Sequence, residues 1–179
     1  MTGAAPASDT SFVATRLPAL IGAGFGLLFL LINAGSLPAP WPLGVRVAGV
    51  LLTAAVAARV LTGAVAPAPR PGPSAMRTYW RWVGIEGIAI VAGTFLLGRF
   101  GLGEFGVLWV IAVVGVHFLP FATAFGHRAY AALGWVLIAL ALVGAVLAIL
   151  FGATGSGVAG VTAGVVLLVF AAAFGRARR

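Results

Sequence analysis

Six apolar runs of about twenty residues, separated by short polar or proline-marked breaks, make up most of this chain. They lie at about 17–33, 43–62, 82–98, 106–125, 130–150 and 157–174. An α-helix rises ~1.5 Å per residue, so ~20 residues cross the ~30 Å hydrocarbon layer of a bilayer. None of the runs alternates apolar with polar residues, as a strand of a membrane barrel must. The pattern predicts an all-α fold, a polytopic transmembrane bundle of six helices. Composition points the same way: 62% of the 179 residues are hydrophobic and 8% are charged. A water-soluble domain carries roughly 25% charged residues, because its surface faces water. The solvent implied here is lipid.

The chain divides into a flexible tail at 1–15, a single six-helix transmembrane domain at 16–175 and a basic end at 176–179. The first run is expected to remain as a span. It is longer than most signal-peptide cores, its flank is barely basic, and the "NAGS" after it is a poor cleavage site. Two breaks are rich in proline, one holding Pro38, Pro40 and Pro42, the other Pro67, Pro69, Pro71 and Pro73. Alternating proline favours extended spacers over folded loops.

The net charge is +8, and every basic residue is arginine. A basic chain can signal nucleic acid, but here the arginines stand singly at the ends of apolar runs, so no nucleic-acid partner is expected. With the N-terminus inside, nine arginines (Arg16, Arg59, Arg70, Arg77, Arg81, Arg128, Arg176, Arg178, Arg179) face the cytoplasm and two (Arg46, Arg99) face outward. That bias predicts cytoplasmic termini. The aromatic anchors fit the same scheme, with Trp41 and Trp109 at the outer boundary and Tyr79, Trp80, Trp82, Tyr130 and Trp135 near the inner one. The abundance of Ala, Gly, Val and Arg resembles a GC-rich bacterial genome, so the expected location is a bacterial inner membrane.

Small residues four apart form flat strips that let helix backbones approach closely in lipid. Gly22 and Gly26 form one on the first span, Gly160 and Gly164 another on the sixth, and Gly144 with Ala148 a third on the fifth. Packing inside one bundle is the expected use, with a homo-oligomer face as the alternative.

Ionisable groups inside the spans are few. Glu86 lies about one turn into the third run and His117 about two turns into the fourth, counted from the cytoplasmic side. The short connection between these runs makes them antiparallel neighbours, so contact is within reach. A carboxylate in hydrocarbon costs several kcal/mol unless it is paired, wet or protonated. Three readings compete: a proton relay or ion site, a static ion pair of Glu86 with Arg59 or Arg81, and polar glue between helices. Pro120 lacks an N–H and clashes with the Val116 carbonyl, so a kink is expected there. Arg46 and Arg99 are expected to snorkel outward, with Glu104 near Arg99. Asn33 is expected to cap the first helix, and His127 with Arg128 to form a solvated corner.

Several chemistries lack their residues. The chain has no cysteine and two histidines, and its only aspartate, Asp9, is in the tail. No metal or other cofactor, no Ser/His/Asp triad and no Gly-rich nucleotide loop is expected. An enzyme is not the expected reading.

The segment "VVGVHFLPFA", with "RTYWRWVGIEGIAI" before it, is similar to small bacterial six-helix membrane proteins that carry a G-x-H-F-x-P element and have no assigned activity. The resemblance covers the third and fourth spans. It implies that Glu86, His117 and Pro120 belong to one local constellation. On these grounds the expected protein is an integral membrane protein whose partner is the lipid bilayer. The readings of its role run from a small transporter or channel-like protein using the Glu/His pair, through a non-transporting scaffold or accessory subunit, to a membrane-embedded lipid-modifying enzyme. No substrate is indicated.

Overall fold

A computed structural model describes residues 16–63 and 71–174. Among these residues the chain forms six helices: α1 Leu17–Asn33, α2 Trp41–Thr62, α3 Pro73–Arg99, α4 Gly106–Ala124, α5 Arg128–Phe151 and α6 Ala153–Phe174. Short 3-10 turns at Ala34–Ser36 and Gly103–Phe105 extend α1 and lead into α4. Each of the six segments is long and apolar enough to cross a membrane. The tail at 1–15, Pro67, Pro69, Arg70 and the basic end at 176–179 lie outside the described residues.

The apolar runs mark the greasy part of each helix, not its full length. α3 begins at Pro73, nine residues before the expected start at 82. Proline suits a first-turn position, since its φ is already helical and its missing N–H would have had no intrahelical partner. The 27 residues of α3 rise about 40 Å, some 10 Å more than the hydrocarbon layer. Its first two and a half turns, bearing Arg77 and Arg81, therefore extend past the apolar run. α6 starts at Ala153 because one residue, Gly152 at φ 58°, turns the chain between α5 and α6. Only glycine adopts that conformation without strain.

The helices pack in the order α2–α1–α6–α5–α4–α3, with α2 and α4 also touching α6. Sequential neighbours α2 and α3 make no contact and stand at opposite ends of the row. Burial follows this order: half of the apolar window of α6 is buried, but 11% of that of α2 and none of that of α3. The core lies between α4, α5 and α6, where Ile111, Leu137, Ala141 and Ala163 are almost wholly enclosed.

Two backbone crossings hold the row. A Cβ on Gly26 would stand 2.9 Å from the Gly164 carbonyl oxygen, and one on Gly164 would stand 2.7 Å from that of Gly26. Gly22 faces Ala171, and Gly160 faces the side chain of Asn33. The small-residue strips of α1 and α6 thus face each other within one chain. Between α4 and α5 the same relation joins Gly115 and Gly134, where an added Cβ would stand 2.9 Å and 2.6 Å, respectively, from the other's carbonyl oxygen. In lipid, where apolar faces gain nothing by leaving the solvent, this closeness is the main source of packing energy.

One local expectation is corrected. Asn33 does not cap α1: it is the last residue of the helix, the cap is Ala34, and the Asn33 amide donates to the Phe29 carbonyl at 2.8 Å while filling the space beside Gly160. Arg46 is exposed, and its Nε donates to the Leu31 carbonyl at 3.3 Å. At the other end of the same hairpin, Arg16 donates to the carbonyls of Leu61 and, at 3.2 Å, Gly63. The last carbonyls of a helix have no intrahelical donor and carry partial negative charge, so each helix of the pair offers an arginine to its partner's C-terminus.

Candidate functional site

The seam between α3 and α4 gathers the polar residues singled out in the sequence. α3 turns one face inward, with Ala75 buried and Tyr79, Trp82, Val83, Glu86, Ala89, Ile90, Gly93 and Leu97 half-buried, and leaves its opposite face exposed. This is the helical period of a face that meets a single neighbour. Three contacts set the antiparallel register. Near one end, Tyr79 stacks on Phe121 with ring centroids 5.4 Å apart and planes 26° apart. Midway, Glu86 Oε2 lies 3.0 Å from His117 Nδ1. Toward the other end, Trp109 Nε1 donates to the Ala89 carbonyl at 2.8 Å.

The third contact has a simple local cause. In a helix the side chain of residue i overhangs the carbonyl of residue i−4. Gly93 has no side chain, so the Ala89 carbonyl is bare and the indole lies in the gap. A Cβ on Gly93 would collide with the Trp109 ring. Trp109 had been expected only to anchor the outer boundary. Its opposition to Gly93 becomes legible once α3 and α4 are paired antiparallel, but the pairing has to be known first. Gly115 and Gly134 gave no such signal, because neither belongs to a small-residue strip on its own helix.

His117 is nine-tenths buried at its side chain and Glu86 is 20% exposed. The carboxyl oxygen approaches Nδ1 without the geometry of a hydrogen bond, so the contact is a close polar approach of the two side chains. The ring packs edge-on against Phe121 at 4.2 Å and Phe118 at 5.3 Å between centroids. Phe118 in turn lies 6.0 Å from Tyr130 and 6.5 Å from Phe170. The pair is walled by aromatic rings on the α4 side and meets the edge of the row on the α3 side.

The other predicted residues are placed elsewhere. Neither Arg59 nor Arg81 pairs with Glu86 among the described residues. Arg59 is on α2, which does not touch α3. Arg81 is on α3, but on its exposed side. Pro120 sits within α4, which continues as helix to Ala124. Arg99 and Glu104 form no ion pair among the described residues; the Glu104 carboxylate reaches toward the Gly152 turn instead. His127 is exposed and stands edge-on to Tyr130 at 6.3 Å. Glu86 and His117 offer two ligand atoms, and no third His, Asp or Glu joins them among the described residues.

These features define a class: a helical protein with six segments able to cross a membrane, the make-up of a multi-pass integral membrane protein. No known family matches the chain, and no curated protein or solved structure is significantly similar to it.

Proposed function

We propose that this protein is a non-transporting membrane scaffold or accessory subunit, in which Glu86 and His117 dock α3 on α4, rather than a small transporter that uses the pair as a proton relay. The observation that carries this reading is the apolar layer across the core. Among the described residues the buried polar side chains are Asn33, Ser156 and His117. Asn33 packs against Gly160 of α6, whereas Phe118, next to His117, packs against Phe170 of the same helix. Ten residues of helix, about 15 Å, separate those two levels. Between them the core is closed by Ile111, Leu137, Ala141, Ala163 and Leu167. A proton or ion path needs a chain of polar groups or water through that layer, and apolar side chains fill it instead.

The test uses a chain that has no cysteine of its own. His117→Cys and Glu86→Cys are made separately and intact membranes are treated with a water-soluble maleimide, with a loop cysteine as the positive control. A thiol reacts where water supports the thiolate. Both positions are expected to stay unlabelled. Labelling of both, in protein that inserts normally, would replace the scaffold reading with transport.

The orientation belongs to the same proposal. Arg16, Arg59, Arg77, Arg81 and Arg128 share the end of the bundle where α1 begins, and Arg46 and Arg99 the opposite end. This grouping supports cytoplasmic termini by the positive-inside rule. A C-terminal fluorescent fusion should be bright and a C-terminal phosphatase fusion inactive; the reverse would overturn the orientation.

A further inference from the structure

The outer face of α3 carries a second pattern that its packing does not use. Arg77, Arg81, Gly84, Ile88, Val91 and Phe95 recur at alternating steps of four and three residues, and all six are exposed. They form one continuous stripe on the side away from α4. Along its apolar part runs a shallow open groove of about 510 Å³, lined by Gly87, Ile88, Val91, Ala92 and Phe95. A Cβ on Gly84 or Gly87 would meet nothing within 4 Å. Packing inside this chain therefore does not require either glycine, yet Gly87 lines the groove and Gly84 continues the stripe beside it.

Length and charge together say what fits. Gly84 to Phe95 spans eleven residues, about 17 Å, which matches the ~15 Å depth of one leaflet. Arg77 and Arg81 sit one turn apart on the same face at the end of the stripe, where the helix outruns its apolar part. A guanidinium presents a rigid fork of donors that suits phosphate oxygens. The exposed Trp80 lies between the two arginines, and an indole prefers the headgroup level. Among the described residues no carboxylate competes for them: Glu86, the one acid on α3, faces His117. A second copy is a poor occupant. Two α3 helices related by a two-fold axis along the membrane normal would set arginines against arginines.

We propose that this face of α3 is a binding site for an anionic phospholipid, with its phosphate between Arg77 and Arg81 and one acyl chain along the stripe from Gly84 to Phe95, seated in the groove at Gly87 to Phe95. The site is separate from the Glu86–His117 seam and holds whether or not that seam conducts anything.

The experiment titrates the purified full chain in detergent with phosphatidylglycerol or with phosphatidylcholine of the same acyl chains, and counts bound lipid by native mass spectrometry. An arginine near a charged lipid surface contributes about fivefold, so the pair should give roughly a thirtyfold preference for phosphatidylglycerol. Arg77→Gln/Arg81→Gln is expected to lower phosphatidylglycerol binding to the phosphatidylcholine level. Ala92→Trp, which fills the groove, should weaken both lipids. Arg128→Gln, an exposed arginine at the same end of the bundle but off the stripe, should leave the preference intact. All these positions are exposed, so the substitutions leave the helix packing alone. Equal binding of the two lipids by the unsubstituted protein would overturn the proposal. So would an Arg128→Gln effect as large as that of the double variant, or a dimer mass that appears in place of bound lipid.

Discussion

Gly164→Ala tests the packing argument where it is tightest. The added Cβ would stand 2.7 Å from the Gly26 carbonyl oxygen and 2.8 Å from Leu30 Cγ, and ordinary contact begins at 3.4 Å. Relief requires α1 and α6 to part by about 0.7 Å. A gap of that size forfeits a quarter to a half of the dispersion energy at each contact along the seam. Overpacking of this kind costs about 1–3 kcal/mol. Alanine also has a helix propensity up to ~1 kcal/mol better than glycine, which offsets part of the loss. Gly24→Ala supplies the control: Gly24 is exposed, and a Cβ there meets nothing within 4 Å. The difference between the two variants then isolates the clash, expected at about 1–3 kcal/mol. Unfolding of detergent-solubilised protein by added dodecyl sulfate, followed by far-ultraviolet circular dichroism, measures it. Equal midpoints for the two variants would refute the reasoning. So would a loss of stability seen only as a dimer dissociates, since the glycines would then serve a contact between copies.

Three further outcomes follow from particular contacts. Trp109→Phe removes the indole donor but keeps a ring against Gly93, and should cost about 0.5–1.5 kcal/mol in the same unfolding assay; Gly93→Ala should cost more, since its Cβ would collide with the indole. His117→Ala should destabilise more than Glu86→Gln, by about 1–2 kcal/mol, because it strands a carboxylate in an apolar seam whereas the amide stays neutral; the reverse order would mean that Glu86 does not depend on His117. Gly160→Ala should be destabilising and partly rescued by Asn33→Ala, since the new Cβ would fall on the Asn33 side chain; a double-mutant cycle with no coupling would sink that contact.

The number and character of the helices were legible in the chain because each crossing is a local matter. Length and apolarity decide it, and both are read directly from consecutive residues. Glu86 and His117 could be singled out for the same reason: an ionisable side chain is conspicuous in any apolar run. Which helix touches which was not legible, because helices that are apolar nearly all round carry little information about which side faces inward. The chain order suggests that α2 and α3 are neighbours, but the fold sets them at opposite ends of the row. Arg59 is thereby kept from Glu86. The glycine strips of α1 and α6 could be seen in the sequence, yet their facing each other, so close that a Cβ on either would stand 2.7–2.9 Å from the other's carbonyl oxygen, is a property of the assembled bundle. Gly115 with Gly134, and Trp109 with Gly93, announce nothing alone, since each contact exists only between two helices. What lies within one span was written in the sequence through its solvent; what lies between spans was decided by close backbone approach, where lipid gives apolar side chains no preference for one neighbour over another.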